Sequence, residues 1–164
     1  MQENMSIREE LLKSVDGLSD QQLNEKVEAG SWTIMQVLEH LYLMETVIAM
    51  GISKELANDQ SEPAPSKPIH LSVNRTTKVE APSFVIPSDN FIILEEIKKK
   101  LIESRKTLIQ VTEGISPQDL EQKSFPHPIF GPLNLKQWIP FVGFHEKRHL
   151  GQIEELKEKL TDLT

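Results

Sequence analysis

Two histidines four residues apart, His145 and His149, fall in the middle of the most apolar helical face this chain can form. A third, His40, lies far upstream on another strongly periodic segment. Burying imidazole is costly unless each ring nitrogen finds a partner, and a divalent metal satisfies several rings at once. Residues i and i+4 of a helix lie one above the other, so both rings of the pair can reach one ion. At about 100° per residue, Trp138, Val142, His145, His149, Gln152 and Leu156 share one narrow sector. Three nitrogen donors without a thiolate suit Zn²⁺, Ni²⁺ or Fe²⁺ and leave positions open for water or substrate, as a catalytic site requires. The competing reading is plainer: a single histidine on an apolar face is a satisfied core residue, and the pair is held by dedicated hydrogen-bond partners. Gln152, one turn beyond His149, is either a helix-boundary amide or a contact to a ligating ring or substrate. His70 and His127 sit in proline-rich loops and read as surface residues.

His145-Glu146-Lys147-Arg148-His149 also spells H-E-x-x-H, the metalloprotease signature in which the glutamate is a general base. The surroundings argue against that reading. Only fifteen residues follow His149, the extended motif would need glycine where Gln152 stands and histidine where Glu155 stands, and no run of strands precedes it. Glu146 projects about 80° from the mean direction of the pair, where a solvated, salt-bridging residue also sits. It stays a minor candidate for a base.

The elements that must position these side chains are helices. Apolar periodicity marks four segments: about Ser6 to Val15, Thr33 to Leu56, Asp89 to Glu113 with Phe91 on its stripe, and Asn134 to Leu160. Gly17 and Gly114 stand where the first and third should stop, and Ser88 and Asp89 are N-cap candidates for the third. Half of the ten prolines fall between Pro63 and Pro87, which makes that stretch a crossover or lid, with Phe84-Val85-Ile86 as a possible short strand. Pro140 lies inside the last helix, five residues before His145, and predicts a kink or an irregular first turn.

The chain repeats itself. Leu11-Leu12, Gly17-Leu18-Ser19, Leu23 and Lys26 recur 97 residues later as Leu108-Ile109, Gly114-Ile115-Ser116, Leu120 and Lys123. After a four-residue insertion, Thr33-Ile34-Met35-Gln36 matches Asn134-Leu135-Lys136-Gln137. Two helix–loop–helix halves packed together make an all-α four-helix bundle, a single domain over residues 1–164, able to aim three rings into its core from two facing helices.

Composition narrows the function. A net charge of −7 and a pI near 5.3 argue against nucleic acid or an anionic membrane as the main partner, and Lys98, Lys99 and Lys100 read as the solvated face of a helix. The absence of cysteine excludes disulfides, thiolate ligands and a cysteine nucleophile, so thiol chemistry would need a thiol from outside the chain. The N-terminus lacks the basic and apolar regions of a signal peptide, and Glu39, His40 and Glu45 interrupt the apolar stretch 34–52. A soluble cytoplasmic protein acting on a small molecule is expected.

Taken in order, Ser31-Trp32-Thr33-Ile34 leading to His40-Leu41, then His127-Pro128-Ile129-Phe130-Gly131-Pro132-Leu133, then His145-Glu146-Lys147-Arg148-His149-Leu150-Gly151-Gln152-Ile153 resemble the DinB-like superfamily over roughly Ile7 to Leu160. The resemblance implies a four-helix bundle with a long crossover between its second and third helices, often homodimeric. It implies a divalent metal held by one histidine of the second helix and an H-x-x-x-H pair of the fourth, here His40, His145 and His149. The family's characterised enzymes are mainly metal-dependent thiol transferases and isomerases that use low-molecular-weight thiols such as bacillithiol or mycothiol. Other members carry the label of metal-dependent hydrolase, and the name comes from a DNA-damage-inducible member. The expectation is therefore a metal-dependent transferase that activates such a thiol against an electrophile. The alternatives are a non-catalytic metal-binding or stress-response module, and a hydrolase using bound water.

Overall fold

The computed structural model describes residues 1–162. Four long helices form the bundle: α1 (Gln2–Val15), α3 (Ile34–Leu56), α4 (Leu94–Thr112) and α6 (Leu135–Asp162). α3 packs against both α4 and α6, and α1 lies along α6. Short helices α2 (Asp20–Leu23) and α5 (Pro117–Glu121) follow the first and third long helices. Residues 57–93 make the crossover, with two 3₁₀ turns, Ile69–Val73 and Ser83–Val85. No helix among the described residues is long and apolar enough to cross a membrane.

The sequence repeat is a structural repeat. Gly17 and Gly114 both turn the chain with positive φ, 88° and 76°. Two residues on, Ser19 and Ser116 cap α2 and α5, each hydroxyl accepting the N–H three positions later at 3.1 Å. Thr33 closes a reciprocal capping box with Gln36 at the start of α3. Asn134 accepts the Gln137 N–H in the same way before α6, at 2.9 Å.

The apolar core comes in two clusters with a polar layer between them. Along α3 the first cluster ends at Leu41 and the second begins at Ile48; along α4 the break lies between Leu101 and Leu108, and along α6 between Val142 and Ile153. The layer holds four buried charges, Arg8, Glu45, Arg105 and Glu146, one from each long helix. Arg8 spans both carboxylates, with Nε on Glu146 Oε1 at 2.7 Å and Nη2 on Glu45 Oε1 at 2.9 Å. Arg105 does the same from α4, with Nε on Glu45 Oε2 at 2.6 Å and Nη2 on Glu146 Oε2 at 2.7 Å. The repeat relates the members: Arg8 and Arg105 stand 97 residues apart, Glu45 and Glu146 stand 101 apart, the same two spacings as the caps.

Burial pushes the Glu146 carboxyl above its ordinary range, against the pull of Arg8 and Arg105. Burial also works against the Arg8 charge, yet Glu146 and Glu45 outweigh it and raise that group. The two directions disagree on whether the pair gains by ionising, and the contacts decide it. Both Glu146 oxygens receive guanidinium N–H groups, so neither is left to donate and the carboxylate is charged.

Several local expectations change. α4 starts at Leu94, not at Asp89, because Ser88 and Asp89 are engaged elsewhere: Ser88 donates to Glu39, and Asp89 accepts from Gln36. Its first turn is capped from outside instead, by Asp20 accepting the Leu94 N–H at 2.8 Å, and Phe91 lies outside the helix, exposed. Phe84-Val85-Ile86 is no strand; it forms a 3₁₀ turn that buries Val85 and exposes its two neighbours. A hairpin that periodicity missed, β1 (Ser124–His127) and β2 (Gly131–Asn134), precedes α6 with Ser124 opposite Asn134 and His127 opposite Gly131. Its Phe125 stacks on Trp138 at 4.3 Å and lies over Gly51, where a Cβ would come within 2.6 Å of the ring. α6 runs unbroken through Pro140. Beside it, α1 comes so close that a Cβ on Gly143 would meet Asn4 Oδ1 at 2.4 Å, while the Asn4 amide donates to the Ile139 carbonyl at 2.7 Å.

Candidate metal centre

The polar layer also holds the three histidines. His40 faces inward from the second turn of α3, and His145 and His149 face it from successive turns of α6. All three are buried, and one ring nitrogen of each lies within 4.8 Å of the other two. The His40 ring centroid is 5.0 Å from that of His145 and 4.8 Å from that of His149. The structure thus brings together the three histidines singled out by their spacing.

Hydrogen bonds set the tautomers. The Val85 carbonyl can only accept, so His40 donates to it from Nδ1 at 2.8 Å and keeps its Nε2 lone pair. His149 donates from Nδ1 to Gln152 Oε1 at 2.7 Å, which likewise frees Nε2. His40 Nε2 stands 3.2 Å from His145 Nε2. Ligand nitrogens at zinc-like distances in a tetrahedral shell are about 3.3 Å apart, so this pair already has the separation an ion requires. Burial drives all three rings toward the neutral, ligating form. It lowers His40 despite the Val85 contact, and it holds His145 well below the ordinary histidine range, helped by His149, His40 and Arg148. His149 is pushed down to about 3, by burial first and then by His40. The donor set, its neutrality and its tautomers fit a divalent metal.

The residues around the trio divide sharply. Gln152 holds the His149 ring by its Nδ1, the arrangement that orients histidines able to bind a metal. Glu146 is corrected from a solvated residue or spare base to a fully engaged member of the four-charge cluster, 2% exposed. Its partners Arg8 and Arg105 were not foreseen, although the repeat that relates them was visible in the sequence. His127 is not a surface residue either. Its ring is half-buried against Phe130, Trp138 and Phe141, its Nδ1 accepts the Ile129 and Phe130 N–H groups, and burial lowers it to about 4. It stands outside the trio; His70 is exposed, as expected.

The crossover closes the site. Val85 is fully buried and its carbonyl holds His40, while Glu39, next in the chain to His40, accepts from the Ser88 N–H and hydroxyl. Trp32 packs against the His40 ring at 5.0 Å. On the far side, Arg148 gathers the carbonyls of Ser72, Asn74 and Thr77.

The chain is similar to known proteins over nearly its whole length. A model of the DinB superfamily matches residues 6–153. The protein YuaE of Bacillus subtilis (strain 168) is 35% identical over 153 residues, 93% of this chain and 94% of its own length. A Bacillus mycoides (strain KBAB4) protein named "putative metal-dependent hydrolase" is 26% identical, over 98% of this chain and 84% of its own. Among solved structures, TT2238, a four-helix bundle protein, matches with a TM-score of 0.65 at 22% identity over 94% of each chain, which supports the fold.

Proposed function

The chain belongs to the DinB superfamily, and we propose that within it this protein is a divalent-metal enzyme that activates a low-molecular-weight thiol for attack on an electrophile. The observation that carries the reading is the buried set His40, His145 and His149, with the outer nitrogens of His40 and His149 tied to Val85 and Gln152. Those three residues would hold the ion through neutral nitrogens, leaving coordination positions free. Bound there, the metal supplies Lewis acidity that lowers the pKa of a coordinated thiol or water. The thiol gives its proton to solvent, the sulfur bonds to the electrophilic carbon, and the displaced group leaves with the bonding pair. A chain without cysteine offers the electrophile no competing thiol of its own.

A hydrolase is the second reading, favoured by the name of the Bacillus mycoides relative. The state of the neighbouring groups supports the thiol over water. Attack by metal-bound water is speeded by a base beside it, and Glu146, bound by two guanidiniums, is not free to be one. A thiol ionises far more readily and needs no such base.

Metal content followed by conjugation of bacillithiol or cysteine to 1-chloro-2,4-dinitrobenzene, in wild type and His145→Ala, tests the reading. The expected result is one metal per chain and turnover that both vanish in the variant. Stoichiometric metal with ester cleavage and no conjugation would replace it by the hydrolase, and metal without either activity by a binding module.

A further inference from the structure

Glu146 and Arg148 flank the histidine pair on opposite sides, each about 80° from its mean direction. Glu146 faces a cluster that cancels itself, two carboxylates against two guanidiniums. Arg148 has no such balance. Its three hydrogen bonds all go to backbone carbonyls, Nη1 to Ser72 and Asn74 and Nη2 to Thr77, and no carboxylate among the described residues pairs with it. A guanidinium has five N–H donors, so Nε and one Nη2 hydrogen have no protein acceptor among the described residues. Beside it Arg75 lies across Gly151, with its Cδ 3.0 Å from where a Cβ would stand, and pairs with Glu155 at 2.7 Å. Arg148 is close enough to act on both His145 and His149, and none of the three rings hydrogen-bonds a carboxylate. Three neutral ligands would leave the full charge of an ion in place, and Arg148, which acts on two of those rings, adds a charge of the same sign.

We propose that Arg148 is the anion-recognition residue of this site, and that the thiol or electrophile it serves bears a carboxylate distinct from its reacting atom. This rests on the metal-site reading above. The reacting atom occupies an open position at His40, His145 and His149, while the carboxylate takes the two free N–H groups of Arg148. The guanidinium is held for that task by the backbone of 72–77 wrapped around it, so its orientation is set before any ligand arrives.

The test uses Co²⁺-loaded full-length protein and two rigid thiols, 4-mercaptobenzoate and 4-mercaptobenzamide, whose para groups cannot chelate the ion through the same molecule. Binding is read from the thiolate-to-cobalt absorption band. The carboxylate should bind about tenfold more tightly than the amide, the scale of one charge-assisted hydrogen-bonded pair, and added salt should weaken only the carboxylate. Arg148→Gln should bring the two within about threefold of each other without weakening amide or Co²⁺ binding, and Arg148→Lys should retain part of the preference. Equal affinities in the wild type would overturn the proposal whatever the variants do, and so would a glutamine variant that loses both thiols alike. Failure to take up Co²⁺ would instead sink the metal reading, and this proposal with it.

Discussion

Replacing Arg8 by methionine, similar in length but uncharged, should destabilise the protein by about 3–5 kcal/mol, the usual cost of removing one partner from a buried ion pair. The structure shows why the value belongs at that level. Arg8 donates four hydrogen bonds: two to Glu146, one to Glu45 and one to the Leu101 carbonyl. Without it, two buried carboxylates share the single charge of Arg105, and Glu146 keeps only one N–H, at 2.7 Å. At about 2–4 °C per kcal/mol for a chain this long, the melting temperature should fall by roughly 6–20 °C. Urea unfolding of wild type, R8M, E146Q and the double variant measures it. The double variant restores charge balance, so it should lose at least about 1 kcal/mol less than the two single losses together. Acidity should also help R8M. Its surplus carboxylate, more easily protonated in the folded state than in the unfolded one, destabilises fully above its folded pKa and is relieved as pH falls through that value toward the unfolded pKa. A loss under about 1 kcal/mol, or strict additivity, would refute the idea that the four charges act as one unit.

Zinc at a hundredfold its dissociation constant should stabilise the wild type by about 2.7 kcal/mol and leave His40→Ala and His145→Ala unmoved, a contrast that differential scanning fluorimetry reads directly. The metal-free protein should be acid-sensitive. Burial holds His149 at about 3 and His145 well below the ordinary value, so the unfolded chain binds protons that the folded one refuses. Stability is complete above pH about 6.5 and falls toward pH 4 by up to about 1.4 kcal/mol per unit for each such ring; a flat urea midpoint between pH 7 and 5 would contradict this. Gly143→Ala should destabilise by about 1–3 kcal/mol through its clash with buried Asn4. Adding Asn4→Ala should recover part of that, and calorimetry that finds the two losses additive would reject the contact as the cause.

The convergence of His145 and His149 was legible because helical spacing alone puts them on one face; the caps at Ser116 and Thr33 went unread, although both lie within the visible repeat. Glu146 was misjudged for a reason of range: its partners stand 138 and 41 residues away, and no local pattern distinguishes a glutamate in water from one facing two guanidiniums. A signal did exist, since carrying the repeat through the helices pairs Arg8 with Arg105 and Glu45 with Glu146. The start of α4 was misplaced because Ser88 and Asp89, good caps by type, serve α3, while the cap of α4 comes from Asp20. The hairpin escaped because Pro126 and Pro132 face each other across it and break the alternation that strands ordinarily show.

The doubled polar layer also divides the labour of the bundle between two kinds of change. Where one half has His40 the other has Phe141, and where the second half has His145 and His149 the first has Met44 and Ile48. The charges have their twins and the three histidines do not. Mutational tolerance should follow that division: a ligand can be exchanged while four helices stay clasped, whereas a lost guanidinium unsettles both halves together. Such a frame can try new chemistry at its centre without first learning to fold again.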